Sequence, residues 1–304
     1  MALNQTNKLA WIVETIYQAH KISFEELNRR WMDNVDLSGG EEMLKRTFHK
    51  CKWNIFDTFG LSIDCEKTAP YRYYIANVND MKSGSIEKWL LSTLSVSNSL
   101  LESKSIKDRI VLDDVPSGRE YLEPIIDAMK KNRFIHICYF NYWKSDTRDH
   151  YVMPLCVKLF RQRWYMVGRN WPAGRNLVFS LDRIRDFRIS SHTFKFPEDF
   201  DTQEYFNGCI GVIPGDRCGI EKVKIKVSSG QANYLRDLPL HESQQETEQT
   251  DEYSIFELQV RPTFDFQQEL LWNGEDLEVL EPLWLRKEVA GKIKRMWNRY
   301  KEDE

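Results

Sequence analysis

Nowhere in the 304 residues does an apolar run continue for the roughly 18 charge-free positions that a membrane helix needs, so no span is expected. The N-terminal stretch MALNQTNKLAWIVETIYQ lacks a basic leader, a long apolar core and a small-residue cleavage site, which argues against a secretory signal and for a cytoplasmic protein. Net charge is nearly missing too. The 43 Lys+Arg and 46 Asp+Glu leave -3, which excludes a uniformly basic coat and an acidic solvating chain while permitting a local basic face.

Catalytic signatures are also lacking. The six cysteines, Cys51, Cys65, Cys138, Cys156, Cys209 and Cys218, include no pair at zinc-ribbon or redox spacing and read as reduced thiols. The six histidines are dispersed, and there is no metalloprotease helix motif, glycine-rich phosphate loop or nucleophile elbow. No carboxylate cluster suits a metal. The expectation is a protein that is not an enzyme and carries no cofactor.

What is present is 41% apolar and 13% aromatic residues, enough for real cores. Length alone suggests about two domains. Helices are predicted over residues 5–19, 24–33 and 41–57, the last two opened by capping boxes, Ser23 with Glu26 and Ser38 with Glu41. Strands at 61–65 and 71–76 around Glu66-Lys67-Thr68-Ala69-Pro70 read as a hairpin. Three helices and a hairpin predict a winged helix-turn-helix over residues 1–80.

At about 100° per residue, Leu44, Phe48, Cys51 and Ile55 of the third helix share one stripe. Arg46, His49, Lys50 and Trp53 lie opposite, with Lys45 and Lys52 at the boundary. A charged helix face is ordinarily just solvated. The order of helices and hairpin turns the reading towards double-stranded DNA, with Lys45, Arg46, His49, Lys50 and Lys52 as contacts together with Lys67 and Arg72 of the hairpin.

Residues 81–116 read as a connector containing a helix around Trp89-Leu90-Leu91, one able to pair with a second subunit. Ser117 with Glu120 starts a further helix, with Leu122, Ile125, Ile126 and Met129 on one face. The period then falls to two. Segments 133–140, 151–159, 163–169 and 177–181 predict a small, strongly bent β-barrel, giving a domain over 117–202. Residues 203–219 are loop-like. Over 203–304 the succession of strands at 223–227, 253–260 and 277–280, helices at 231–238, 266–272 and after Pro282, and one strand near Leu240 predicts a ferredoxin-like βαββαβ unit. His241 to Glu252, HESQQETEQTDE, reads as a solvated turn.

Between Lys158 and Arg188 stand Lys158, Arg161, Arg163, Arg169, Arg175, Arg183, Arg185 and Arg188, against only Asp182 and Asp186. Here is a local basic surface hidden by the whole-chain balance. Alternation puts Arg163, Tyr165 and Arg169 on one face, and Trp164 and Met166 on the other, which is assigned to the core. Guanidinium groups beside aromatic rings suit a phosphate next to a stacked base.

The stretches RQRWYMVGRN and NLVFSLDRIRDFRI, with the tail WNGEDLEVLEPLWLR, resemble the WYL-domain family of bacterial transcriptional regulators. That resemblance implies an α+β multidomain chain: an N-terminal winged helix, a central Sm-like β-barrel and a C-terminal extension. Met166 replaces the usual leucine, a volume-conserving swap. Leu177 stands where many relatives carry an arginine, so one ligand contact is lost unless Arg175 supplies it. The resemblance further implies a homodimer whose barrel senses a nucleic acid or nucleotide-like effector, with Tyr151, Arg161, Arg163, Tyr165, Arg169, Arg175, Arg183 and Arg185 as contacts. A general single-strand-binding accessory protein is the alternative reading.

Overall fold

The computed structural model describes residues 2–78, 86, 88–90, 92, 93, 96, 109, 118–214 and 218–301. The chain divides into two compact units, Met1–Asp113 and Asp114–Glu304. The expected connector at 81–116 and the Ser117 cap lie largely or wholly outside the described residues.

In the first unit α1 spans Ala2–Ala19, α2 Phe24–Asp33, α3 Val35–Ser38 and α4 Lys45–Phe59. Strands β1, Ile63–Cys65, and β2, Tyr73–Ile75, pair antiparallel. Ile22, between α1 and α2, bridges to Tyr73. The Ser23 cap forms as its spacing predicts, its hydroxyl accepting from the Glu26 amide at 3.2 Å. Phe48 is fully buried and meets Phe24 and Tyr73 at 5.5 and 4.8 Å, so one ring ties α4 to α2 and to the hairpin.

The third long helix differs from expectation. Ser38 ends α3 instead of opening α4, its hydroxyl accepting from the Gly40 amide. Gly39 and Gly40, at φ +66 and +79, turn the chain in a conformation that a side chain would resist. Asn28 then accepts from the Met43 amide at 2.7 Å, Met43 enters the core, and Leu44 is left 64% exposed just before α4. The buried stripe is therefore Phe48, Cys51, Ile55 and Phe59.

In the second unit α5, Arg119–Lys130, packs on a five-stranded antiparallel sheet. Its strands are β3 Arg133–Asn141, β4 Asp146–Phe160, β5 Arg163–Asn170, β6 Asn176–Ser180 and β7 Ile184–Thr193, in the order β6-β5-β4-β3-β7. A bulge between Pro154 and Cys156 and two register shifts along β3 and β7 bend it. The expected barrel does not close, because among the described residues no ladder joins β6 to β7. Strand β7 was not anticipated: exposed for most of its length and shifted in register, it lacks an apolar alternation.

A short helix α6, Thr202–Phe206, interrupts what reads as loop at 203–219. There follow β8 Glu221–Ser228, α7 Ser229–Asp237, β9 Gln245–Gln249, β10 Tyr253–Val260, α8 Phe264–Trp272, β11 Leu277–Glu281 and α9 Leu283–Tyr300. The sheet order is β11-β8-β10-β9, with every pairing antiparallel. The second strand lies not near Leu240 but within HESQQETEQTDE. All five residues of β9 are exposed, so it has no buried face to announce it, and its glutamates guard a sheet edge. Val223, Ile225, Val227, Phe256, Leu258 and Phe266 form the centre of the core here. Among the described residues no helix is long and apolar enough to cross a membrane.

Candidate nucleic-acid interface

On α4, Arg46, His49 and Lys50 are exposed on the side away from the buried stripe, and Lys45 is exposed at its boundary. Among the described residues no ion pair engages Lys45, Arg46 or Lys50, so their charges are unspent. Trp53, 76% exposed, continues this face. With His49, Lys52, Phe56, Ser62, Ile63 and Asp64 it lines a hollow of 310 Å³ between helix and hairpin. Lys52 is half-buried and held 5.4 Å over the Tyr73 ring. Lys67 is exposed on the hairpin loop. Arg72 is engaged, since Glu66 pairs with it at 3.0 Å and with Lys21 at 2.8 Å, and both bonds hold the Glu66 carboxyl below its usual range.

The basic stretch of the second unit is scattered by the fold. Arg163 pairs with the nearly buried Asp182 at 3.7 Å, and Asp182 also accepts from the Ser180 hydroxyl. The Arg183 guanidinium lies 4.2 Å over the Tyr142 ring, and its buried Nε finds no hydrogen-bond partner among the described residues. The hydroxyl of the half-buried Tyr139 accepts from the Ser180 amide at 3.1 Å, and desolvation pushes its phenol up despite the nearby Arg183. Arg185 is exposed, 5.4 Å over Phe140. Arg163, Arg183 and Arg185 thus stand with Tyr139, Phe140 and Tyr142 where β3 ends and β7 begins.

The remaining expected contacts lie elsewhere. Lys158 is half-buried, donating to the Gly211 carbonyl at 2.6 Å over the Phe206 ring, and desolvation pushes its ammonium down. Arg161, at φ +47 in the β4–β5 turn, pairs with Glu269 of α8. Tyr151 stacks on Phe134. Tyr165 is half-buried opposite Ser180. Arg175 is exposed in the β5–β6 turn, whereas Leu177 packs on the core opposite Gly168. Trp164 and Met166 face the core as assigned.

Arg169 is tied down. It grips Asp199 through two bonds, 2.9 and 3.1 Å, and donates to Asn176 at 2.9 Å. The Arg169 bonds hold the Asp199 carboxyl below its ordinary 3.8. A lowered carboxylate adds stability above the unfolded value and loses it as pH falls through the folded one. Asp199→Asn is therefore expected to lower the melting temperature slightly at neutral pH and to flatten its decline below about pH 4. Melting curves of both proteins across pH 3–7 check this.

The aromatic partners Tyr139, Phe140 and Tyr142 were not anticipated from the sequence. Their signal was the run Tyr139-Phe140-Asn141-Tyr142-Trp143 at a strand end, with Trp143 94% exposed. Arg183's position follows from the turn Leu181–Arg183, which no pattern announces.

Comparison with known families matches residues 120–189 to the WYL domain and residues 220–297 to the WCX domain. The solved structures similar to the chain include proteasome accessory factor B/C (PafBC) of Arthrobacter aurescens, at 15% identity and a TM-score of 0.35, with 95% of this chain and 46% of that one covered. The chain thus spans about half the length of that protein. A CRISPR Cas-related protein matches at 12% identity and a TM-score of 0.39, covering 99% and 86%. No curated protein sequence matches significantly. The chain is a mixed α/β protein carrying a WYL and a WCX domain.

Proposed function

We propose that the protein is a cytoplasmic DNA-binding transcription regulator of bacterial type, acting as a homodimer and not as an enzyme. The first unit is a winged helix-turn-helix, with α4 entering the major groove. The observation that carries this reading is the α4 face itself, where Arg46, His49 and Lys50 are exposed opposite a buried stripe, with Lys45 exposed at its boundary, and without ion pairs among the described residues. The bent five-stranded sheet is an opened Sm-like barrel that senses a nucleic acid or nucleotide-like effector, and the C-terminal unit is ferredoxin-like. Arg183 Nε, without a hydrogen-bond partner among the described residues and beside Arg163 and Tyr142, supports an anionic effector at the start of β7.

An effector alters operator affinity only if it binds the DNA-competent and incompetent arrangements differently. Sequencing of the DNA retained by purified protein tests the whole reading. A regulator enriches a few palindromic sites, whereas a general single-strand binder enriches none. Arg163→Ala is expected to retain those sites and to lose the effector response. Loss of both activities would assign Arg163 to folding or to one shared site.

A further inference from the structure

A second cleft lies on the same sheet, away from the arginine cluster. Phe134 is 8% exposed at the start of β3, and Tyr151 stacks on it with ring centroids 4.8 Å apart and planes 6° from parallel. Trp171 and Phe194 meet Phe134 edge-on at 6.2 and 5.4 Å. With Met153, His192, Thr193 and Lys195 these rings line a cleft of 540 Å³. Tyr139, beside Arg183, stands five residues further along β3, about 17 Å at strand rise.

The lining is specialised. Trp171 keeps 54% of its surface open to solvent although it belongs to a packed ring cluster, leaving indole surface free for a planar guest. At one side the Tyr151 hydroxyl, the Ser190 hydroxyl and His192 Nδ1 form a chain with links of 2.9 and 3.2 Å, offering hydrogen bonds to the edge of a flat heterocycle. No carboxylate lines the cleft among the described residues. Lys195 stands at its margin. Lys195 pairs with Glu198, yet both side chains are more than 80% exposed, so the pair is weak and readily exchanged. Rings, an edge of donors and acceptors, and a marginal cation together match a base attached to a phosphate better than a purely apolar guest.

We propose that this cleft seats one unpaired nucleobase, stacked on Trp171, with the attached phosphate at Lys195. The proposal rests on the reading that the second unit takes a nucleic acid or nucleotide effector, and adds a base site apart from the arginine cluster. The experiment measures fluorescence anisotropy of labelled oligo(dT) and oligo(U) with the full chain, competed by unlabelled TMP and UMP. Trp171→Ala is expected to weaken binding about tenfold, since one stacked base contributes about 1–3 kcal/mol, and Trp171→Phe to restore most of it. Lys195→Ala gives a smaller loss with a shallower salt dependence. Displacement by TMP or UMP identifies a free nucleotide as the source, and its failure identifies a strand; either fits the cleft if Trp171→Ala binds weakly. Unchanged binding by both Trp171→Ala and Lys195→Ala, with loss in Arg183→Ala, overturns the cleft and leaves the effector reading standing. If the unmodified protein binds no probe, both readings fall.

Discussion

Alanine at both Arg46 and Lys50 is expected to weaken binding to a selected duplex by about 30-fold or more. Each charged contact to a base edge or phosphate contributes about 1–3 kcal/mol, so two give at least about 2 kcal/mol. The slope of log affinity against log salt should become shallower by about 0.9 for each of the two that touches a phosphate. Neither side chain packs in the core and neither is held by an ion pair among the described residues, so the melting temperature should hardly move. Titrations at several salt concentrations, with a melt of the same sample, separate lost contacts from lost fold. Unchanged affinity and slope would remove α4 from the interface. With a net charge of -3 the chain gains little from non-specific attraction, so placed contacts have to supply selectivity.

Gly118→Ala is expected to destabilise the second unit by about 2–6 kcal/mol. Gly118 precedes α5 at φ +62, where an L side chain is strained by about 1–3 kcal/mol. Space is also closed, because an added Cβ would lie 2.3 Å from the Leu181 carbonyl carbon and 2.4 Å from the Asp182 amide nitrogen. These are backbone atoms of the turn that presents Arg183, and relieving the overlap costs about 1–3 kcal/mol more. Thermal or urea unfolding of the variant measures the loss. Gly174→Ala is the matched control, at φ +67 but with nothing near its Cβ, so it reports strain without overlap. Equal losses in the two variants would show that Gly118 does not need the contact with the turn.

Where one face of an element is buried, its residues were enough to find it. Helix α2 and strand β10 have the limits that their patterns predict, and the Ser23 cap forms. Elements that bury little escaped, as β9, exposed throughout, and β7, exposed for most of its length, did. Helix α4 was found but started late, since the Ser38-to-Glu41 spacing satisfies a capping box while Gly39 and Gly40 turn the chain first.

The sequence by itself determined the succession of the elements with a clear apolar pattern, the WYL-like stretch and the exposed cations of α4, because each follows from local spacing and from which side chains water will accept. It also supplied the number of arginines between Lys158 and Arg188, though not their use. Only the tertiary structure decided that Lys158, Arg161 and Arg169 are spent on Gly211, Glu269 and Asp199, while Arg183 Nε finds no hydrogen-bond partner among the described residues. The physical reason is that charge is a property of the residue, whereas its availability depends on partners 30 to 108 positions away. The aromatic cleft has the same origin: Phe134, Tyr151, Trp171 and Phe194 lie on separate segments, and antiparallel pairing alone makes them neighbours.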